Sequence, residues 1–167
     1  NLGYYLDKYD KWSKYEAEEK GVLLVYASMY GNTESAANAV AVKLVEKGMT
    51  NVSMYDVSKT HVSYLISETF RFSHVVLASV TYNLGIFPPM HNYLMDMKAL
   101  NLQNRTFAIL ENGSWACKSG ILMKEFLEKK MKNMIVLDNK LTMNSAMNED
   151  SLSDLDAFAD SIIQSMD

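Results

Sequence analysis

Short apolar runs alternate with amphipathic segments along this chain, and the alternation predicts strands that are followed by helices. The apolar runs predict strands at residues 21–27, 52–57, 75–80, 105–110 and 134–137, the last of which extends past Asn139 in one interpretation. The amphipathic segments repeat their apolar side chains every three or four residues, which predicts helices at residues 33–47, 61–70, from Pro88 onward, 120–131 and from Ser151 onward. Ser151 is the predicted cap of the last helix, with Asp154 completing a capping box.

The pattern also predicts how the strands are arranged. Continuous apolar strands joined by short loops and helices are typical of a parallel sheet covered on both faces, with right-handed crossovers. We therefore expect an α/β fold, a three-layer sandwich around a five-stranded parallel sheet in the order 2-1-3-4-5. Polar loops follow the first, third and fourth strands, at residues 28–33, 81–86 and 111–117. Those strands are neighbours in this order, so the loops would meet at the edge of the sheet where such folds bind ligands.

The first loop has the composition of a phosphate-binding turn. Its residues are Ser28, Met29, Tyr30, Gly31, Asn32 and Thr33. A helix start leaves backbone N–H groups unpaired and carries the positive end of the helix dipole, so it attracts a phosphate. The hydroxyl groups of Ser28 and Thr33 add donors, and Gly31 lets the backbone approach a ligand closely.

Motifs and charged residues that are absent from the chain indicate which kind of phosphate compound the loop would bind. The glycine spacings of nucleotide P-loops and of dinucleotide fingerprints do not occur in it. Residues 21–42 contain no lysine or arginine, so neutral donors would hold the phosphate, which suits a resting cofactor better than a reacting nucleotide. The alternative interpretation is an ordinary helix start capped by Ser28 or Asn32.

The second and third loops add aromatic rings to this edge. Their candidate binding residues are Thr81, Tyr82, Asn83 and Gly85 in the second loop, and Gly113, Ser114, Trp115, Ala116 and Cys117 in the third. A phosphate cradle between two loops that carry aromatic rings describes a site for flavin mononucleotide (FMN), whose ring is apolar on its faces and polar along one edge. Taken singly, Tyr82 could be a surface turn residue and Trp115 a rim residue.

Composition excludes several other classes of protein. The formal net charge of −4 argues against nucleic acid as the main partner. The single cysteine excludes a disulfide within the chain, a CxxC site and a cysteine-ligated iron–sulfur cluster. No apolar run reaches the roughly 18 residues of a membrane helix, and no signal peptide is recognised, so we expect a reducing, cytoplasmic location.

Candidate metal ligands and nucleophiles are scarce. The histidines His61, His74 and His91 fall in separate predicted elements, so we expect no metal site in this chain. No nucleophile–base pair is evident, and we expect no catalytic residues. Cys117 is either a reactive thiol near the flavin or, as we favour, a small residue that fills a tight loop.

Residues 1–20 differ from the rest of the chain in being polar and rich in aromatic side chains. Tyr5, Tyr9 and Trp12 fall at helical spacing, which indicates a short helix. We expect this segment to be a linker from a missing N-terminal domain, and residues 21–167 to form the folded domain. The aromatic rings would pack on that domain, or alternatively on the missing neighbour.

The three loops resemble those of a known family. The segment Ser28 to Thr33 resembles the phosphate loop of flavodoxins. The segment Thr81-Tyr82-Asn83 with residues 85–90 is similar to the second flavin loop of the flavodiiron proteins (A-type flavoproteins), and residues 113–115 resemble their third loop. Tyr9 and Trp12 resemble the join that follows their diiron domain. The departures from the family pattern are Val80, Leu84, Ala116 and Cys117.

The resemblance implies a flavodoxin-like domain in which residues 28–33 bind the FMN phosphate. It implies further that Thr81, Tyr82, Asn83, Ser114 and Trp115 flank the ring. In that family the domain is fused to a diiron domain that reduces dioxygen or nitric oxide, receives electrons from a rubredoxin or a reductase, and works in a homodimer. This chain would then carry electrons without a gas-reducing centre of its own. The alternatives are a free-standing flavodoxin shuttle and a flavodoxin-fold interaction module that has lost the flavin.

Overall fold

The chain is built around a central sheet that helices cover on both faces. The computed structural model describes residues 1–113, 116–144 and 148–167. The strands are β1 Glu19–Ala27, β2 Val52–Asp56, β3 Phe72–Tyr82, β4 Gly85–Ile86, β5 Thr106–Asn112, β6 Ile135–Val136 and β7 Leu141–Met143. The helices are α1 Leu2–Ser13, α2 Asn32–Glu46, α3 Val62–Arg71, α4 Pro88–Ala99, α5 Ser119–Lys130 and α6 Glu149–Gln164.

The order of the strands confirms the predicted topology. The main path of the sheet runs β2-β1-β3-β5-β6, with parallel pairing at each step. This is the predicted 2-1-3-4-5 order once the unpredicted two-residue strand β4, which pairs antiparallel with β3, is set aside. The last predicted strand is divided in two, because a turn between the Lys140 N–H and the Asp138 carbonyl oxygen (3.0 Å) separates β6 from β7. Both pieces pair with β5.

Two apolar layers hold the helices against the sheet. Successive side chains of a strand point to opposite faces, so Leu23 and Val25 of β1 join the layer under α3, α4 and α5. Val22 and Leu24 join the layer under α2 and α6. This burial on both faces explains the continuous apolar runs from which the strands were predicted.

Some predicted boundaries and caps were wrong. The cap of α6 is Asn148, three residues before the predicted Ser151, because the Asn148 side chain accepts from the Ser151 N–H and the Ser151 hydroxyl accepts from the Asn148 N–H. The strand β3 continues to Tyr82, so Thr81 and Tyr82 belong to the sheet rather than to a loop. In the same way β5 continues to Asn112, so Glu111 and Asn112 belong to the sheet and the third loop begins at Gly113.

The N-terminal segment forms the helix that its aromatic spacing indicated, α1. The Trp12 ring meets Phe70 of α3 edge to face at 6.2 Å between centroids, and its Nε1 donates to Glu18 at 2.7 Å. Tyr5 and Tyr9 are mostly exposed, at 66% and 71%. One aromatic side chain therefore packs on the domain while others face solvent, and the assignment of residues 1–20 as a linker stays a prediction.

At the end of the sheet opposite the three loops, Arg105 joins neighbouring segments of the chain through hydrogen bonds. Its buried guanidinium donates to the carbonyl oxygens of Tyr15 (2.8 Å), Phe70 (2.8 Å) and Thr69 (3.2 Å). These bonds join the segment after α1 to the end of α3. Burial lowers the pKa of Arg105 to about 10, so the group is still charged at neutral pH.

His74 makes the stability of the fold depend on pH. Its ring is buried near the start of β3, with Nδ1 2.7 Å from Ser73 Oγ and Nε2 3.1 Å from Ser165 Oγ, just after α6. Burial lowers the pKa of His74 from its usual value, and the nearby charge of Lys20 lowers it further, while the Ser165 hydrogen bond opposes both. The unfolded chain therefore binds this proton more tightly than the folded chain does.

We expect the contribution of neutral His74 to be complete above about pH 6.5, the pKa of an unfolded histidine, and to be lost as pH falls through the lower folded pKa. Urea unfolding of the wild type and His74→Gln at a series of pH values measures this. The wild type should lose stability on acidification more steeply than the variant. Equal slopes would contradict this role for His74.

Candidate functional site

The carboxyl ends of β1, β3 and β5 lie side by side at one edge of the sheet. Ala27 at the end of β1 is in register with Ser79 of β3, and Ser79 is in register with Glu111 of β5. The three predicted loops leave the sheet from these neighbouring strand ends. The structure thus brings the three loop origins together, as the strand order predicted.

The first loop leads into α2 without a side-chain cap. Gly31 is the N-cap residue and adopts a φ of +85°, a conformation that favours glycine. The first helical bond runs from the Ser35 N–H to the Gly31 carbonyl oxygen at 2.9 Å. The N–H groups of residues 32–34 therefore have no acceptor within the helix. The alternative interpretation, a helix start capped by Ser28 or Asn32, does not hold, because the Ser28 hydroxyl accepts from the Gly31 N–H (3.0 Å), before the helix begins.

In the described parts of the chain, each of the other helix starts has a side-chain acceptor for at least one N–H group, or prolines that lack the N–H. Side chains at their own N-caps accept at α1 (Asn1), α3 (His61) and α6 (Asn148). The start of α4 contains Pro88 and Pro89, which have no N–H to offer. At the start of α5, the side chains of Thr81 in β3 and Glu111 in β5 accept hydrogen bonds from the backbone N–H groups. Among these six helices, α2 is the one with neither a side-chain acceptor nor a proline in its first turn, which leaves that turn available to an anion.

Two polar residues connect the first loop to the third. Thr33 is buried in the first turn of α2, and its Oγ1 accepts from Asn112 Nδ2 at 3.4 Å. The Thr33 hydroxyl keeps its own proton to donate. Asn112 is the last residue of β5 and was not a predicted site residue, although a polar side chain directly after an apolar strand was the available signal. Met29 and Tyr30 are exposed beside this turn, Tyr30 at 87%.

The second loop is a tight hairpin. Tyr82 pairs with Gly85, and the two residues between them, Asn83 and Leu84, have φ values of +46° and +60°. Both values lie in the left-handed region, as in a type I′ turn. The partly exposed Tyr82 ring contacts Phe87 edge to face at 6.0 Å between centroids. The hairpin therefore presents the Tyr82 ring at the rim of the site.

Thr81 and Glu111 close the start of α5. The Thr81 hydroxyl oxygen accepts from the N–H groups of Lys118 (3.1 Å) and Ser119 (3.2 Å). The carboxylate of Glu111, which is 1% exposed, accepts from the Gly120 N–H at 2.7 Å. Thr81 thus uses its side chain to fix the helix that follows the third loop, and Glu111 is a site residue that sequence reasoning missed.

Hydrogen bonds at Gly113 and Cys117 hold the two ends of the third loop. The Gly113 N–H donates to the Met143 carbonyl oxygen at 3.2 Å, and Cys117 Sγ lies 3.4 Å from the Gly113 carbonyl oxygen. Burial raises the pKa of the Cys117 thiol, and the charge of Glu111 raises it further. A protonated thiol favours the interpretation of Cys117 as a residue that fills a tight loop. Ala116 is exposed, and the predicted site residues Ser114 and Trp115 lie outside the described residues.

A comparison with known protein families shows which family the chain belongs to. The model described as "Flavodoxin" matches residues 24–150, which is most of the chain. The chain belongs to the flavodoxin family.

Curated relatives of this flavodoxin domain are longer proteins. The chain is 29% identical over 147 residues to an uncharacterized protein of Methanocaldococcus jannaschii, covering 88% of this chain and 37% of the relative. It is 28% identical over 122 residues to the rubredoxin-oxygen oxidoreductase of Megalodesulfovibrio gigas, covering 73% of this chain and 30% of that enzyme. The chain spans about a third of the length of these relatives.

Solved structures share the fold. The rubredoxin oxygen:oxidoreductase of Desulfovibrio gigas matches with a TM-score of 0.88 at 22% identity, over 99% of this chain and 40% of that one. The flavodiiron protein of Giardia intestinalis matches with a TM-score of 0.86 at 21% identity, over 99% and 41%. An archaeal flavodoxin matches with a TM-score of 0.74 at 20% identity, over 89% of this chain and 99% of its own.

The described residues contain neither a candidate metal site nor a helix suited to crossing a membrane. No group of three or more His, Cys, Asp or Glu side chains is placed to hold a metal ion within residues 1–113, 116–144 and 148–167. Over the same ranges, none of the helices combines the length and the apolar character that crossing a membrane requires.

The hairpin of the second loop carries backbone strain that can be measured. Leu84 is exposed and occupies a left-handed position that costs a side-chain-bearing residue about 1–2 kcal/mol, while glycine loses about 0.5–1 kcal/mol of this gain to chain entropy. We expect Leu84→Gly to raise the free energy of unfolding by about 0.5–1 kcal/mol in urea titrations. Leu84→Ala, the matched control, should not. A destabilised glycine variant would contradict this account of the turn.

Proposed function

We propose that this flavodoxin domain binds FMN and carries electrons within a longer oxidoreductase of the flavodiiron type. The single observation that carries the proposal is the uncapped start of α2 at the edge where three loops converge. Bound FMN would supply a redox group that takes up and releases electrons, which no amino-acid side chain of the site provides. The chain itself would hold, orient and shield the flavin.

The donors present suit the phosphate group. The free N–H groups of residues 32–34, the Thr33 hydroxyl and the positive end of the α2 dipole all favour an anion. Glu34 also lies in this turn, and its carboxylate accepts from the Tyr26 hydroxyl at 3.1 Å. Burial raises the pKa of Tyr26 to about 12, and the Glu34 hydrogen bond contributes, so the tyrosine stays protonated and holds the carboxylate on β1. The one acidic group in the turn is thereby engaged away from the helix start.

The two remaining loops suit the flavin ring. Tyr82 stands partly exposed at the end of β3, with Asn83 and Gly85 offering backbone polar groups in the hairpin beside it. We propose that Ser114 and Trp115 of the third loop complete the ring site. Aromatic stacking contributes about 0.5–1.5 kcal/mol per contact beyond the buried area, which would add to the phosphate contacts.

The extent of the matches supports a place for this domain in a longer protein. Those to the rubredoxin oxygen:oxidoreductase and to the flavodiiron protein cover 99% of this chain, whereas the archaeal flavodoxin covers 89%. We propose that residues 1–20, with α1, join this domain to a diiron domain that lies outside this chain. A rubredoxin or a reductase would deliver the electrons, the full protein would work as a homodimer, and it would reside in the cytoplasm.

A free-standing flavodoxin shuttle is the second candidate. It is favoured by the match that covers 99% of the archaeal flavodoxin, a protein without further domains in that structure. Both candidates require FMN at the same edge of the sheet. A flavodoxin-fold interaction module without flavin would show no FMN binding, so the binding measurement below separates it from both.

The visible absorption and fluorescence of the purified chain, titrated with FMN and with riboflavin, test the proposal. We expect FMN to survive desalting with quenched fluorescence, and riboflavin, which lacks the phosphate, to bind more weakly. Thr33→Val removes one phosphate donor and should weaken FMN binding about tenfold while leaving riboflavin binding unchanged.

Thr50→Val serves as the matched control, because Thr50 is exposed in the segment before β2. It should bind both flavins as the wild type does. A chain that stays colourless after incubation with FMN would refute electron transfer and favour the interaction module.

A further inference from the structure

Glu111 is a buried carboxylate that the phosphate site does not use. It lies in β5 directly before Asn112, with its side chain 1% exposed. Its Oε1 is 2.6 Å from Lys140 Nζ and accepts from the Thr142 hydroxyl at 2.9 Å, while its Oε2 accepts from the Gly120 N–H at 2.7 Å. Three donors from two different segments thus converge on one group.

These contacts fix two segments relative to β5. Gly120 belongs to the first turn of α5, and Thr142 belongs to β7. A Cβ atom at Gly120 would lie only 2.5 Å from Glu111 Oε2, so the helix start is seated directly on the carboxylate. The bonds are charge-assisted, which makes them roughly twice as strong as neutral ones.

Along the chain, the third loop lies between β5, which carries Glu111, and α5, whose first turn Glu111 binds. It begins after Asn112, and α5 begins at Ser119, so the position of the α5 start sets where the carboxyl end of this loop stands. Thr81 holds the same start through the N–H groups of Lys118 and Ser119. None of these contacts is made by a donor of the phosphate turn, since those donors lie at the start of α2.

We propose that Glu111 is a positioning residue for the ring side of the flavin site, acting through the start of α5 and through residues 116–118, the described end of the third loop. The inference rests on the proposed function, since it requires that the third loop flanks a flavin ring. Among the described residues, the titratable groups that face Glu111 are Lys140 and the Cys117 thiol. The Lys140 ammonium group compensates the buried charge of the carboxylate.

This role has a signature that a change at the phosphate turn lacks. A loosened third loop should weaken every ligand that carries the isoalloxazine ring, whether or not it carries a phosphate. The affinities for FMN and riboflavin should therefore fall by the same factor, and their ratio should not change. The phosphate variant Thr33→Val should instead change that ratio.

The test measures both flavin affinities for Glu111→Gln, after circular dichroism has established that the variant is folded. Glutamine keeps the size of the side chain and removes its charge, so we expect both affinities to fall about tenfold and the fluorescence of bound flavin to be less quenched. Glu128→Gln, on the exposed side of α5, is the matched control and should behave as the wild type.

A second variant keeps the inference testable if Glu111→Gln does not fold. Thr142→Val preserves the shape of an exposed strand residue and removes one donor to Glu111, so both affinities should fall about threefold. A folded Glu111→Gln or Thr142→Val that binds both flavins as the wild type does would overturn the inference. Loss of FMN affinity without loss of riboflavin affinity would also overturn it. A wild type that binds neither flavin would refute the proposed function itself, and the inference with it.

Discussion

The N–H groups that begin an α-helix need acceptors from outside the helix, and the carboxyl edge of this sheet is arranged around that need. Thr81 and Glu111, at the ends of two neighbouring strands, meet it for α5. The prolines of α4 remove two of its donors. At α2 no side chain of the N-cap accepts from the first N–H groups, and the turn before the helix contains Gly31 in a left-handed conformation. A group that accepts several hydrogen bonds and carries negative charge is the natural complement to such a turn.

The electrostatics of this turn differ from those of a nucleotide-hydrolysing site. Residues 21–42 contain no lysine or arginine, and the whole chain has a formal net charge of −4. Attraction of a phosphate therefore depends on oriented N–H dipoles close to the ligand rather than on the field of the protein. Such an arrangement holds an anion in place without withdrawing charge from a scissile bond. That is the requirement for a cofactor which stays bound while electrons pass through it.

Apolar periodicity, which is local, predicted the positions of the strands and helices, and the rules for doubly wound parallel sheets then predicted the strand order and the convergence of the loops. The sequence did not predict Glu111 or Asn112 as site residues, or the cap that Thr81 supplies to α5. Thr81 and the Lys118 N–H that it accepts from are 37 positions apart in the chain. Contacts between a side chain and a distant backbone leave no periodic signal, so the closing of α5 emerges only once β3 and β5 are paired. The Asn148 cap was missed for another reason, since Ser151 offered the same chemistry three residues later.

The central claim is that the open first turn of α2 receives the flavin phosphate, and amide NMR tests it most directly. Backbone N–H resonances of the isotopically labelled chain would be followed while FMN is added. We predict that the N–H signals of residues 32–34 move downfield and saturate at one equivalent of FMN. The N–H signals of Ser119 and Gly120, whose acceptors are Thr81 and Glu111, should show no such downfield shift. Unchanged signals at residues 32–34 in a chain that binds FMN would contradict the account.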